Sequence, residues 1–247
     1  SMSPCNIENL QGRAVGEIEN NAERQATACF ERLVHARYSC RAFLPATVPR
    51  EVVESILSLT QRTATWCNTQ PWHAYVTSGD STERFREGLH KAASQGVPKG
   101  SDVQWPREYS GVHLERRRDA GKRLYRALGI GRSDIPARDA QMLENFRLFG
   151  APHVALVTCD EPLLPYGLLD CGGFVSNFML AARAHGVDTI AQAAIAQYSG
   201  FVREFFDIPE HRRVVCGISF GFGDGNGAAN SFRTSRAPIS DTTTWVV

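Results

Sequence analysis

The spacing of hydrophobic residues predicts several helices and a few short strands in this chain. Val53, Ile56 and Leu57 recur at the three- and four-residue spacing of a helix face, which predicts a helix over residues 51–62. Comparable patterns predict helices over residues 22–36, 82–93, 114–128, 138–149 and 166–185. Alternating or continuously apolar segments predict strands over residues 72–77, 154–158 and 214–222.

The longest predicted helix, residues 166–185, is apolar around nearly its whole circumference. Pro165 stands just before its start and Gly186 just past its end, the usual positions of these two residue types. A helix that is apolar all round must be buried on all sides. We therefore expect it to be a central helix or to lie in a subunit interface. Its large apolar residues are Leu168, Leu169, Phe174, Val175, Phe178, Met179 and Leu180.

The order of these elements predicts one α+β domain over residues 22–247. Residues 1–21 have no hydrophobic pattern and are expected to form a flexible N-terminal arm. Residues 79–135 are rich in charge, and their helix over 114–128 is rich in arginine. We expect this part to be a variable helical excursion, or lid, above the core.

Composition excludes several classes of protein. The chain is 43% hydrophobic and 21% charged with a net charge of +1, which argues against a broad nucleic-acid surface. No segment reaches the length of a membrane span, and the N-terminus has no secretory pattern. The seven cysteines include no C-x-x-C pair, and the histidines have no H-x-x-x-H spacing. We therefore expect a cytoplasmic protein with free thiols and no metal site.

Two glycine motifs invite functional interpretations that their contexts disfavour. Residues 217–221 match G-x-S-x-G, but the glycine-rich segment that follows is a poor start for the helix that a nucleophile elbow requires. We interpret Ser219 as an ordinary strand residue. The glycines at 221–227 lack the spacing of a dinucleotide-binding loop and predict a turn instead.

Three polar segments are the strongest functional candidates. Residues 37–41 and 230–238 carry arginines and small hydroxyl residues, which suit a phosphate group because guanidinium donates forked hydrogen bonds. Residues 68–72 carry two carboxamides that can read the polar edge of a ring. The alternatives are a solvated helix end for the first arginine pair and a turn beside a buried tryptophan for the amides.

These segments resemble motifs of the FMN-dependent nitroreductase family. Residues 37–43 resemble its R-x-S-x-R-x-F start, and residues 68–72 its N-x-Q-P-W loop. Residues 170–186 resemble its central helix, and residues 230–238 its closing phosphate motif. The resemblance covers about residues 25–245. Many relatives have a lysine near residues 68–72, here called the amide loop, or just before the last arginine. This chain has Gln70 and Thr234 in those regions.

The resemblance implies an α+β fold with a central mixed or antiparallel sheet, an intertwined homodimer, and one FMN at each subunit interface. The phosphate and ribityl chain would be held by the arginine segments, the ring by the amide loop, and the flavin N5 edge by backbone groups of a third segment. The implied cofactor-binding residues are Arg37, Tyr38, Ser39, Arg41, Asn68, Gln70, Gln192, Ala193, Ala194, Arg233, Ser235 and Arg236. No catalytic side chain and no metal is implied.

The implied activity is reduction of a nitroaromatic, a quinone or a similar flat acceptor by NADH or NADPH, through two-electron hydride transfer with ping-pong kinetics. The flavin would carry the chemistry while the protein binds and orients it. Reductive dehalogenation, ene reduction and flavin processing on the same fold are alternatives. A low-turnover flavin-binding or redox-sensing protein is an alternative of another class.

Overall fold

A computed structural model describes residues 21–247 and contains one four-stranded sheet. The strands are β1 (Trp72–Val76), β2 (His153–Asp160), β3 (Asp188–Gln192) and β4 (Arg212–Gly221). Their order is β1-β2-β4-β3, and every pair is antiparallel. The α+β prediction is therefore confirmed, and the sheet is antiparallel throughout. Sequence patterns missed β3, an edge strand of five residues.

Seven α-helices lie within residues 21–247. They are α1 (Asn21–Ala36), α2 (Arg50–Thr60), α3 (Asp80–Ser94), α4 (Gly111–Ala127), α5 (Ile135–Leu143), α6 (Tyr166–Ala184) and α7 (Ser199–Phe206). The predicted helices agree with these to within a few residues, except for residues 138–149 and for α7, which was missed. Apart from Asn21, the predicted arm at residues 1–21 lies outside the described residues.

The prediction of a helix through residues 138–149 is wrong in its second half. The helix starts earlier, at Ile135, and ends at Leu143, after which the chain forms a tighter 3₁₀ segment, Glu144–Gly150. Leu148 and Phe149 have φ angles of 58° and 53°, in the left-handed region that ends an α-helix. Both side chains are buried, so tertiary packing holds this bend.

The sheet is buried on both faces. In β2, Ala155 and Val157 belong to a cluster that includes Phe174 and Phe178 of α6, whereas the alternating Val154 and Leu156 belong to a second cluster. Period-two alternation places these pairs on opposite faces. The continuous apolar run of β2 follows from this double burial.

Helix α3 packs one face against the core, through Thr82, Phe85, Leu89 and Ala92. Phe85 and Leu89 are fully buried, and the Phe85 ring packs against those of Phe201 and Phe205. The expectation that all of residues 79–135 stand above the core is therefore wrong for this helix. Helix α4, in contrast, has no buried residue.

Helix α6 covers one face of the sheet and is open on its other side. Phe174 is fully buried with its ring 5.1 Å from that of Trp72, but Leu169 is 69% exposed and Tyr166 is 60% exposed. Burial on all sides is therefore not achieved within one chain. The alternative, a subunit interface, stays a prediction at this point.

Candidate functional site

The first arginine segment runs beside the edge strand β3. Ser39 forms a parallel bridge with Thr189, and the Cys40 amide donates to the Thr189 carbonyl with an N···O distance of 3.0 Å. Helix α1 ends at Ala36, so Arg37 and Arg41 flank this short pairing. The edge of β3 that does not pair with β4 thus holds the backbone segment that carries both arginines.

Asn230 ties the second arginine segment, residues 230–238 and here called the closing segment, to the first arginine segment. The Arg41 amide donates to Asn230 Oδ1 at 2.7 Å, and Asn230 Nδ2 donates to the carbonyls of Ala42 and Asp224 at 2.8 and 2.9 Å. Asn230 is buried, so these bonds are shielded from water. The sequence places Asn230 in a motif, but nothing in the pattern reveals that it joins the two arginine segments.

The arginines of the two segments lie together without counter-ions. Burial, and then the positive charge of Arg236, lower the pKa of Arg37, and burial lowers the pKa of Arg41. Within residues 21–247, no carboxylate lies within ion-pair distance of either residue, or of Arg233 or Arg236. Cations held close together without carboxylates favour an anionic ligand.

Short-range hydrogen bonds orient these guanidinium groups. Arg236 Nη1 donates to Thr234 Oγ1 and to the Ser235 carbonyl, both at 2.9 Å. Arg41 Nη1 donates to the Ser39 carbonyl at 3.2 Å. Each guanidinium has five N–H donors, so donors remain for a ligand. Ser39, between Arg37 and Arg41 in sequence, adds a hydroxyl, and such a donor set fits a phosphate ester.

Tyr38 supports the site through its ring. Arg233 lies over that ring, with Cζ 3.9 Å from the centroid, a cation–π contact. Burial, followed by the neighbouring charges of Cys40 and Asp188, raises the pKa of Tyr38 well above its ordinary value, so the phenol stays neutral. The hydroxyl points at Gly223, where a Cβ atom would lie 2.9 Å from it.

Gln192, the last residue of β3, is a buried structural residue. Its side chain is 3% exposed; Nε2 donates to the Asn145 carbonyl at 2.8 Å, and Oε1 accepts from the Ser219 hydroxyl. Ser219 lies inside β4, as the sequence predicted. The side chain of Gln192 is therefore fully engaged. The chain turns directly after it, at Ala193–Gln197, where Ala193 and Ala194 have no polar side-chain atom and offer only backbone groups.

The amide loop has a constrained backbone. Cys67, Asn68 and Gln70 have φ angles of 50°, 55° and 47°, in the region that residues with a Cβ rarely adopt. Gln70 Nε2 donates to the Asn68 carbonyl and to Asn68 Oδ1, at 3.0 and 3.1 Å. Both side chains are exposed. Strained backbone of this kind concentrates at functional sites.

Within one chain the amide loop and the arginines lie at opposite corners of the sheet. Strand pairing puts Trp72, next to the loop, level with Arg213 of β4. At the opposite edge of the sheet, Ser39 pairs with Thr189 of β3, and Thr189 pairs with Phe220 of β4. Seven residues along β4 and four inter-strand spacings separate these points, on the order of 30 Å.

Known proteins resemble this chain in both sequence and fold. The family model described as "Nitroreductase family" matches residues 34–222. The chain belongs to the nitroreductase family. "Nitroreductase NfnB" of Mycolicibacterium smegmatis is 38% identical over 216 residues, which is 86% of this chain and 91% of the relative. "4-nitrobenzoate reductase" of Nocardioides sp. is 33% identical over 222 residues, 87% of this chain and 88% of the relative.

A solved structure matches nearly the whole described fold. The FMN-dependent nitroreductase NfnB from Mycobacterium smegmatis, in complex with NADPH, superposes with a TM-score of 0.86 at 35% identity. The match covers 90% of this chain and all of the other. The predicted family and fold class are thus confirmed. The roles of individual site residues stay predictions.

Two features are absent from residues 21–247. No helix in this part is long and apolar enough to cross a membrane. No group of three or more His, Cys, Asp or Glu side chains in it could hold a metal ion.

Proposed function

We propose that this member of the nitroreductase family binds FMN and reduces nitroaromatic compounds or similar flat acceptors with NADPH. The observation that carries the proposal is the group of four arginines at the edge of β3, which have no carboxylate partner within residues 21–247. Among its relatives are a 4-nitrobenzoate reductase and a nitrobenzene nitroreductase, and a structural neighbour was solved with NADPH.

The arginine segments would hold the phosphate and ribityl end of FMN. Arg37 and Arg236 face each other as like charges, so a phosphate dianion between them would relieve their repulsion. Arg41 is held on its backbone side by Asn230 and can direct its remaining donors outward. Arg233 is held by Tyr38, and the hydroxyls of Ser39 and Ser235 complete the donor set.

The amide loop would come from a second copy of the chain. Asn68 and Gln70 cannot reach the arginines of their own chain across a separation on the order of 30 Å. A homodimer related by two-fold symmetry would place each loop at the partner's arginines and form two equal sites. The open side of α6, with Tyr166 and Leu169 exposed, offers the apolar surface for this association.

Bound FMN would supply two-electron redox chemistry by accepting hydride from NADPH and passing it to the acceptor. The chain's own task is to bind and orient. The turn after β3, at Ala193 and Ala194, would present backbone groups to the ring edge, with Gln192 fixing the turn from below. The amide pair of Asn68 and Gln70 would hold the polar edge of the ring. No acid or base side chain is required.

A cytoplasmic location suits this chemistry, because that compartment supplies reduced nicotinamide and keeps thiols reduced. The described cysteines are free thiols: Cys29, Cys40, Cys67, Cys159, Cys171 and Cys216. Burial raises the pKa of Cys40, Cys159, Cys171 and Cys216, so these act as small apolar residues and not as redox partners of the flavin.

The visible spectrum of the purified protein tests the proposal. The protein should be yellow, and heat should release FMN and not FAD. NADPH oxidation should be slow alone and fast with 4-nitrobenzoate, whose product should be the hydroxylamine. A halophenol assayed in parallel separates reductive dehalogenation. A colourless protein that FMN cannot reconstitute would refute the proposal, and flavin without turnover would favour a storage or sensing role.

A further inference from the structure

The arginine-rich helix α4 borders a cleft that extends beyond the proposed FMN site. One face of α4 and the closing segment enclose about 860 Å³, within the usual range for ligand pockets. The charged residues that line it are Glu115, Arg116, Asp119, Arg123, Arg236 and Asp241, and Thr234 adds a hydroxyl. Arg236 belongs to both places, so the cleft begins where the phosphate of FMN is proposed to lie.

The cleft combines cations with carboxylates and hydroxyl groups. Arg123 is paired with Asp119, with an Nε···Oδ2 distance of 2.6 Å. Arg116 is exposed and has no ion pair within residues 21–247. Carboxylates such as Asp241 and hydroxyls such as Thr234 suit the hydroxyl groups of a sugar. An unpaired arginine among such groups suits a phosphate on that sugar.

We infer that this cleft binds the adenosine end of NADPH, with Arg116 contacting the 2′-phosphate. The inference rests on the proposed function, since a nicotinamide donor stacked at the FMN site must extend its other end across the neighbouring surface. NADPH differs from NADH only by the 2′-phosphate, and an arginine near the ribose is the usual device for accepting it. The exposed helix α4 thereby gains a function, selection of the electron donor.

The same helix supplies a matched control. Arg117 neighbours Arg116 but does not line the cleft. Its Cζ lies 5.0 Å from the centroid of the Tyr109 ring. Arg116→Ala and Arg117→Ala therefore remove the same charge from the same helix, but only Arg116 lines the cleft, whereas Arg117 contacts Tyr109.

Calorimetric titration of FMN-loaded protein with 2′,5′-ADP and with 5′-AMP tests the assignment without turnover. The 2′,5′-ADP should bind more tightly than 5′-AMP. Arg116→Ala should weaken 2′,5′-ADP by at least about fivefold, because one charge-assisted contact is lost, and should leave 5′-AMP nearly unchanged. Arg117→Ala should match the parent for both ligands.

Reduction of the flavin by rapid mixing provides the second measurement. Arg116→Ala should raise the apparent Kd for NADPH and leave that for NADH in place, with the limiting reduction rate unchanged. Equal affinity for 2′,5′-ADP and 5′-AMP, or equal losses in the two variants, would overturn the inference. FMN content is measured first in every preparation, so loss of the cofactor, which would contradict the proposed function itself, is distinguished from loss of donor selection.

Discussion

Arg37 and Arg236, near opposite ends of the chain, lie close enough for the charge of Arg236 to lower the pKa of Arg37. No carboxylate within residues 21–247 neutralises either residue. An anion between the two guanidinium groups would relieve their repulsion. This relationship joins two weak sequence motifs into one candidate anion site.

Replacing Arg236 should weaken FMN binding and preserve the fold. A hydrogen bond to a charged group is worth roughly 1.5–3 kcal/mol, so Arg236→Ala should raise the Kd for FMN by about tenfold or more. Flavin fluorescence titration of the apoprotein measures this. Arg50→Ala, which removes an exposed arginine paired only with Glu54, is the control and should bind FMN as the parent does. Unchanged affinity in Arg236→Ala would mean that the phosphate lies elsewhere.

A mixing experiment tests whether each site is built from two chains. Arg236→Ala and the double variant Asn68→Ala/Gln70→Ala should each bind FMN poorly as homodimers. After unfolding and refolding together, heterodimers should contain one intact site, because the intact arginines of one chain meet the intact amide loop of the other. About a quarter of the parental sites should return for statistical pairing of two-fold dimers.

The size of the particles is checked by light scattering on the same samples. No recovery of FMN binding on mixing, with dimers present, would place the amide loop and the arginines of one chain in the same site. A stable monomer at micromolar concentration would contradict the dimer itself.

Gly223 should tolerate no larger residue. A Cβ there would lie 2.5 Å from Asp188 Oδ2 and 2.9 Å from the Tyr38 hydroxyl, and Asp188 is already held by Arg183 and by the Gly223 amide. Gly223→Ala should therefore lower the free energy of unfolding by roughly 1–3 kcal/mol and weaken FMN by displacing Tyr38.

Urea unfolding of the apoprotein measures this effect. Gly225→Ala is the matched control, since the added Cβ would meet no atom within 4 Å. It should change stability by less than about 0.5 kcal/mol. Equal stability of the two variants would show that the turn yields easily and that Gly223 is not required by packing.

The kinetics should be ping-pong. In the proposed dimer, a single flat site between two chains would admit one planar molecule at a time, so oxidised nicotinamide would have to leave before the nitroaromatic compound enters. Double-reciprocal plots of initial rates against NADPH and 4-nitrobenzoate should be parallel. Intersecting plots, with a dead-end nicotinamide analogue and a nitroarene bound together, would require a separate acceptor pocket.

The sequence by itself determined the elements whose own residues carry a complete hydrophobic pattern. Helical spacing predicted α2, and the uninterrupted apolar run predicted β2, because a strand buried on both faces has no polar alternation. The arginine and amide motifs were also visible, since they consist of contiguous residues with distinctive donors. The family resemblance rested on these motifs.

Tertiary structure decided what depended on distant partners. Strand β3 has only five residues, and it forms because β4 pairs with one edge and Ser39 with the other. The helix that begins at Ile135 gives way to a 3₁₀ segment at Glu144, in which Leu148 and Phe149 bend the chain with their side chains buried in the core. Asn230 joins the arginine segments through bonds across most of the chain. The strand order separates the amide loop, next to β1, from the arginines, next to β3. Spacing along the sequence could not reveal this separation, because it does not determine the position of a strand in a sheet.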